Sequence, residues 1–346
     1  MLTLSFANIL LLGITTLSIV GLLTPLMRNI AIKLNVVDFP TEPHKTHVYP
    51  IPYLGGVAII LGVIVVTYMV SFVSQFTKST FLLASTILIP AFAMGLVGLI
   101  DDIRKLMPWP RFLIQTFFGL VISLSLVLTE TLGSPFGNSW IDIPLTSLWI
   151  VGITNAVNFF DNIDGGASGA MFISSSFLSF LAWQSGQILI SAMSVVVAGA
   201  TLGFLMWNRP PARIYMGDAG ALFLGVLMAS LSTRFDPSPV DIFASYSIPI
   251  LLLAIPIMDT SVAVLSRIQE GISPFQGGRD HLSHRLMRLG YSKQKAVLIL
   301  WFLSLFFCLL ATGISNASDS LERPLMLFAL MCWLIFSAYF LRLKRS

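Results

Sequence analysis

Eleven apolar runs constrain this chain more than any other feature: about residues 2–24, 53–75, 81–100, 112–129, 144–160, 167–184, 188–207, 219–233, 244–266, 296–315 and 324–341. A run of roughly 17 or more apolar residues can cross a hydrocarbon core about 30 Å thick. Inside lipid the backbone finds no water, so a spanning segment must satisfy its own N–H and C=O groups. The predicted fold class is therefore all-α, a polytopic integral membrane helix bundle of about 11 transmembrane helices. The eighth run is short and the fifth carries polar residues, which makes ten the smaller count. The charged fraction of 10% agrees, because soluble domains carry about 25%.

The basic residues set the expected orientation. Loops 25–52, 101–111, 161–166, 208–218 and 267–295, with the tail from Arg342, hold seventeen of the twenty Lys and Arg; Lys78, Arg234 and Arg323 lie elsewhere. Cytoplasmic loops are enriched in these residues. The N-terminus is thus predicted outside and the C-terminus cytoplasmic, in the inner (plasma) membrane. No Lys or Arg precedes the first run and no small-residue cleavage pattern follows it, so it reads as a retained span. Topology and anionic headgroups account for the net charge of +4, and no helix-turn-helix or basic-aromatic tract points to nucleic acid. Residues 1–346 read as one transmembrane catalytic domain with its site in the cytoplasmic loops. Cys308 and Cys332 lie in apolar runs without metal spacing, which predicts packing and no disulfide. "GATLG", Gly199 to Gly203, has small-xxx-small spacing and reads as helix packing.

Five acids gather at one membrane level. Asp101 and Asp102 end the third run, Asp161 and Asp164 lie between the fifth and sixth, and Asp218 opens the eighth. Asp161, Asp164 or Asp218 can cap a helix, because short polar side chains accept the free N–H groups at its start. That explanation fails for "LIDDIRK": two adjacent acids at a helix C-terminus meet the negative end of its dipole and each other's charge. Acids set against local electrostatics require a cation or a function.

A hard divalent cation suits such acids. Mg²⁺, with Mn²⁺ as a substitute, prefers oxygen ligands and takes one or two carboxylates together with substrate phosphates. Around the acids stand Lys45 and His47 in "PHKTHVYPIPYLGG", then Arg104, Lys105 and Arg111, Asn208 in "MWNRPPARIYMGD", and "GGRDHLSHRL" with Arg279, His281, His284 and Arg285. This mixture of guanidinium, ammonium and amide groups suits phosphate oxygens. A zinc site on the two His has no supporting Cys or HExxH pattern.

Together "NAVNFFDNIDGGASG", "GLIDDIRK", "NRPPARIYMGDAG", "KTHVYPIPYLGG" and "GRDHLSHRL" resemble the polyprenyl-phosphate N-acetylhexosamine-1-phosphate transferases. That family includes phospho-MurNAc-pentapeptide translocase and the GlcNAc-1-phosphate transferases that begin envelope glycans. The motifs lie in residues 25–295, each at the cytoplasmic end of a span. The resemblance implies that a UDP-amino sugar donates its sugar-1-phosphate to polyprenyl phosphate, releasing UMP, with GlcNAc the first choice of sugar. It implies Asp218 as the Mg²⁺ ligand with Asp164, Asp101 and Asp102 as paired catalytic acids, and Asp161 and Asp164 as the "NxxDxxDG" acids beside Asn155 and Asn158. It further implies Asn208, Lys45 and His47 near the nucleotide, and His281, His284, Arg279, Arg285 and Arg111 on the phosphates. Two departures stand out. Ser283 replaces the middle His of the His-x-His-His loop, and the triple His of the peptidoglycan-type enzymes is absent. Arg111 stands where many members have Lys, and the two cations hold phosphate differently.

Phosphoryl transfer needs placement and charge stabilisation more than covalent help. A lipid phosphate has a second pKa of about 6, so Asp101 or Asp102, unranked, is expected to orient the acceptor and deprotonate it where needed. A covalent Asp-phosphosugar intermediate is the competing scheme. A homodimer stays open. The rival classes are a secondary transporter, whose sites should lie near the bilayer midplane, and an intramembrane aspartyl protease, which needs two facing acids inside spans. The one acid well inside a run is Asp259 in "IPIMDTS", after Pro256, where a kink is expected; it reads as support for the site.

Overall fold

The computed structural model describes residues 5–39, 50–73, 78–128, 138–237, 241–273 and 278–343. α1 (Phe6–Lys33) leads into an antiparallel hairpin of β1 (Val37–Asp38) and β2 (Ile51–Pro52), in which Val37 faces Pro52. Then follow α2 (Gly55–Val73), α3 (Lys78–Arg104), α4 (Pro108–Leu128), α5 (Ser139–Phe160), α6 (Gly166–Gln184), α7 (Ile188–Asn208) and α8 (Gly217–Arg234). A bent pair, α9 (Ile242–Leu252) and α10 (Ala254–Gln269), precedes the short α11 (Leu282–Arg288), α12 (Lys293–Ser315) and α13 (Asp319–Arg342).

Among the described residues eight helices are long and apolar enough to cross a membrane, and the bent pair makes nine. The eleven runs all fall on a helix or on that pair. The two that fall short of a full apolar span are the second, on α2, and the eighth, on α8. The reason for α8 is its position: every residue from Ala219 to Ser232 is buried. A helix enclosed on all sides belongs to the bundle core, and small residues there let neighbouring backbones approach.

Glycines mark those approaches. A Cβ on Gly56 of α2 would lie 2.2 Å from the Gly220 nitrogen, and one on Gly98 of α3 would lie 2.3 Å from the Asp218 carbonyl oxygen. On the far side, α7 meets α1 in the same way. A Cβ on Gly199 would fall 2.2 Å from the Gly13 oxygen, and one on Gly203 would fall 2.5 Å from that of Leu17. The small-xxx-small segment is thus a helix-packing surface, as its spacing predicts.

The kink expected near Pro256 lies just before it, at Leu253, where α9 and α10 meet at 78°. Proline has no N–H to offer the carbonyl four residues back, which is that of Leu252. Ser174 Oγ on α6 donates to it at 2.5 Å. Trp333 Nε1 on α13 likewise serves the Ala254 carbonyl at 3.2 Å. Backbone groups freed by the break are thus satisfied by neighbouring helices, as a membrane interior requires.

The hairpin continues into the approach to α8. Tyr215 N donates to Pro52 O at 2.9 Å, Gly55 N to Tyr215 O at 3.0 Å and Gly56 N to Met216 O at 2.9 Å. The start of α2 and the start of α8 are therefore tied together at one end of the bundle.

Gly56→Ala and Gly98→Ala are expected to destabilise the detergent-solubilised protein by about 1–3 kcal/mol or more, because the added methyl meets backbone that cannot step aside. Gly152 and Gly313 have no heavy atom within 4 Å of such a methyl. Their Ala variants should hold or raise the thermal midpoint, by up to about 1 kcal/mol of helix propensity. An unchanged midpoint in Gly56→Ala would contradict the close approach of α2 to α8.

Candidate active site

At the end of the bundle where α3, α5 and α7 finish and α4, α6 and α8 begin, the chain encloses a cavity of about 980 Å³. Its wall contains Asp101, Asp102, Asp161, Asp164 and Asp218 together with Arg104, Lys105, Arg111, Lys293, His281 and His284. The five acids predicted from the sequence thus meet in one place, and cations face them.

Asp102 resolves the electrostatic puzzle of the adjacent acids. It sits at the unfavourable end of α3, yet its Oδ1 accepts from Asp218 N at 2.8 Å and its Oδ2 from Ala219 N at 3.1 Å. The carboxylate rests on the positive N-terminus of α8, where negative charge is stabilised. Gly217 has φ +69° there, and a Cβ on it would lie 2.4 Å from Asp102 Oδ2, so only glycine fits. Asp101 is buried: its Oδ1 accepts from Leu106 N at 2.6 Å and its Oδ2 from Arg111 Nη1 at 2.6 Å. The same Arg111 nitrogen donates to Asp218 Oδ2 at 2.9 Å, and Asn158 Nδ2 donates to Asp218 Oδ1 at 2.7 Å. One guanidinium therefore bridges the acid at the end of α3 and the acid at the start of α8.

Asp161 stands apart. Its carboxylate accepts no hydrogen bond among the described residues, although it lines the cavity. Enclosure in the wall, followed by the charges of Asp218, Asp102 and Asp164, holds its carboxyl well above the usual carboxylate range. Asp164 is tied down by Ala212 N at 3.1 Å, and Lys293 Nζ lies 3.8 Å from it. A carboxyl without a donor, crowded by other carboxylates, suits a hard divalent cation. Among the described residues no three His, Cys, Asp or Glu converge as a ready cage. Mg²⁺ needs none, since it takes one or two carboxylates and completes its shell with water and phosphate. Asp218 and Asp161 are the oxygens best placed for it, with the Asn158 carboxamide beside them.

His281 also lines the cavity, with its Nδ1 2.7 Å from Asp259 Oδ2. His284 also faces it. Burial, then the neighbouring His281, pushes His284 down to about 4, so near neutral pH it is an uncharged hydrogen-bonding group. Its Nδ1 is buried without a partner among the described residues. Asp280 pairs with Arg267 in a buried two-pronged contact, at 2.5 and 2.9 Å, and that contact holds its carboxyl low against the opposing effect of burial.

Other predicted residues lie elsewhere or are committed to structure. Arg285 is buried, with Nη1 donating to Phe340 O and Leu343 O at 2.9 and 2.6 Å, so it caps the end of α13 and does not line the cavity. Asn155 joins α5 to Gln115 of α4 at 2.7 Å and is also absent from the wall. Asn208 reaches the wall, but its amide accepts from Gly165 N and Ser168 Oγ and donates to Ile214 O. Arg279 is exposed outside the cavity lining. Lys45 and His47 lie outside the described residues. The structure adds Tyr53, Tyr215, Lys293 and Asn162 to the wall. Of these Tyr53, Tyr215 and Asn162 lie inside the quoted motifs "KTHVYPIPYLGG", "NRPPARIYMGDAG" and "NAVNFFDNIDGGASG"; Lys293 looks in sequence like an ordinary basic flank of a span.

Known proteins are similar to this chain over the same residues. The family described as Glycosyl transferase family 4 matches residues 84–236, the segment that carries all five acids. The chain is 36% identical to the probable undecaprenyl-phosphate N-acetylglucosaminyl 1-phosphate transferase of Bacillus subtilis, over 88% of this chain and 84% of that protein. It is 32% identical to the decaprenyl-phosphate N-acetylglucosaminephosphotransferase of Mycobacterium leprae, over 84% and 80% respectively. A phospho-N-acetylmuramoyl-pentapeptide-transferase of Staphylococcus aureus is 27% identical over 87% of this chain and 96% of its own length. With identity of this level over more than four fifths of the chain, and with the five predicted acids of the cavity inside the matched segment, the chain belongs to glycosyl transferase family 4.

Proposed function

We propose that this protein transfers GlcNAc-1-phosphate from UDP-GlcNAc to a polyprenyl phosphate in a Mg²⁺-dependent reaction, giving polyprenyl-diphosphate-GlcNAc and UMP. The observation that carries the reading is the cavity itself: acids from three helix junctions face Arg111, Lys293, His281 and His284 at one end of an apolar bundle. The names of the relatives supply the sugar and the lipid. In this reading the basic end of the bundle faces the cytoplasm, where a nucleotide sugar is available, and the lipid acceptor reaches the cavity from the surrounding membrane.

Asp218 is the principal metal ligand, with Asp161 as the acid released from its crowding when the metal binds. When bound, Mg²⁺ offsets charge on the diphosphate and the leaving UMP. Arg111 orients Asp101 and Asp218 and offers further N–H groups to phosphate oxygens. Asp101 is the acid placed to orient the acceptor phosphate. Asp102, with both oxygens on the N-terminus of α8, holds Asp218 in register. His281 and His284, which share the cavity wall, meet the phosphates. The absence of a triple His favours a small N-acetylhexosamine donor over UDP-MurNAc-pentapeptide.

The deciding experiment offers purified protein a panel of UDP-sugars with polyprenyl phosphate and Mg²⁺, and measures UMP and lipid-linked sugar. UDP-GlcNAc should be the best donor. Flux of substrate without turnover would favour a transporter, and preference for UDP-MurNAc-pentapeptide would overturn the donor assignment. Asp218→Asn should cut turnover by at least about 100-fold, since an amide is a poor ligand for a hard cation and the metal supplies several kcal/mol. Mn²⁺ titration followed by electron paramagnetic resonance should show the matching loss of binding; retained binding would move the metal to the other acids.

The raised carboxyl of Asp161 gives a signed pH dependence. Metal competes with a proton on this carboxyl, so apparent Mg²⁺ affinity should keep rising with pH above the usual carboxylate range, and Asp161→Asn should flatten that rise. In metal-free protein the folded state keeps a proton that the unfolded chain releases above a pKa of about 3.9. Stability should therefore fall as pH climbs above that value. Mg²⁺ titrations at each pH check the first part and thermal midpoints measured in chelator check the second; a midpoint that rises with pH equally in wild type and Asp161→Asn would contradict the assignment.

A further inference from the structure

A carboxylate, an imidazole and an amide from three segments meet at the edge of the cavity. Asp259, inside α10, is fully buried, and an ionisable group at that depth requires a partner. Its Oδ1 accepts from Leu282 N at 2.7 Å. Its Oδ2 accepts from Asn162 Nδ2 at 3.2 Å and lies 2.7 Å from His281 Nδ1. Ser283 Oγ donates to Asn162 Oδ1 at 2.5 Å, which fixes the amide with its nitrogen toward Asp259.

These contacts determine the state of the imidazole. N–H donors already reach both oxygens of Asp259, so the carboxylate presents lone pairs to the ring, and His281 Nδ1 carries the hydrogen between them. Nε2 is then the ring nitrogen left for a ligand. On its side stands Asp280 Oδ1 at 3.9 Å, already engaged by Arg267 Nη2 at 2.9 Å. The ring is held by the edge of Phe159, centroids 6.2 Å apart, and by His284 at 6.0 Å. A carboxylate behind an imidazole is a general way to fix its tautomer and direction.

Resting on the transferase reading above, we propose that Asp259 is a positioning residue that holds His281 as its Nδ1–H tautomer and turns Nε2 to the transferring phosphate. Asn162 and Ser283 hold Asp259 in that task. The arrangement also links the segment bearing Asp161 and Asp164 to the His-bearing loop. The acid and imidazole walls of the cavity are thereby kept at one separation.

Asp259→Asn keeps the size of the side chain but gives it an N–H that can donate to Nδ1 and favour the opposite tautomer. Asp259→Glu keeps the acceptor and adds a methylene. Positioning predicts activity in the order Asp, Glu, Asn, with kcat in Asp259→Asn down about 10- to 100-fold and the donor KM changed less than about 3-fold. A merely structural role predicts the order Asp, Asn, Glu, because Asn fits the site and Glu overpacks it. In a His281→Ala background Asp259→Asn should cost nothing further, and additive losses would overturn the proposal.

A readout independent of activity is NMR of enzyme labelled at its four histidines, with His281 assigned by its absence in His281→Gln. The wild type should show His281 as Nδ1–H, and Asp259→Asn should shift it to Nε2–H. The two failures are distinct. Nε2–H in the wild type overturns the positioning role in an active enzyme, whereas a wild type that transfers no sugar phosphate overturns the transferase reading whatever the tautomer.

Discussion

The contact between Asp102 and the first N–H groups of α8 is the junction on which both the packing and the chemistry depend. The acid is unfavourable on its own helix, at the negative end of α3, and that cost is offset only because α8 presents its positive end 2.8 to 3.1 Å away. Such a distance demands close backbones, which Gly98 and Gly56 permit. Asp218 is the second residue of α8, so its carboxylate inherits its place from this junction. A core helix that is buried on all sides cannot tilt independently. The position of its first acid is therefore set by the whole bundle.

Charge is arranged around that fixed point with little slack. Arg111 binds the acids of two helices with one nitrogen. A free guanidinium would be expected to swing toward any phosphate; here it must either keep both carboxylates or exchange one for a ligand. Asp161 receives no such neutralisation, and enclosure with the charges of Asp218, Asp102 and Asp164 holds its carboxyl above the usual range. The cavity therefore holds a graded set of acids: Asp102 committed to backbone, Asp101 and Asp218 shared with Arg111, and Asp161 unsatisfied. Only the last two can change partners without dismantling a helix junction, which is the property a metal site assembled with its substrate needs.

Much of this was legible in sequence because membrane helices announce themselves by length and because acids are rare in such a chain. The apolar runs located the helices, and the five acids at one level located the cavity. The acids of "LIDDIRK" do need partners, but for Asp102 the partner is neither a cation nor a ligand: it caps a helix after all, the N-terminus of α8 and not one of its own segment. Sequence could not show that the partner of Asp102 is the end of a helix more than a hundred residues away, since capping through space leaves no local pattern. The same limit explains Arg285 and Asn155. Both lie next to motifs, yet the carbonyls of α13 and the amide of Gln115 take their hydrogen bonds. Lys293 was hidden for the opposite reason: a lysine at the start of an apolar run already has an explanation in topology.

The break between α9 and α10 shows how a defect deep in the bundle serves its end. Pro256 frees the Leu252 carbonyl, Ser174 takes it up, and the chain turns by 78°. The turned segment carries Asp259 and Arg267 on α10. Asp259 fixes His281 and the start of α11 through Leu282 N, while Arg267 fixes Asp280 just before them. A loop that in sequence looks like a free cytoplasmic connection is therefore pinned at three consecutive residues by one helix. Gly278, two residues before Asp280, already lies at the cavity wall. Asp280, His281 and Leu282 are thus held by α10 at the edge of the cavity, and a break deep in the bundle sets the place of its imidazole.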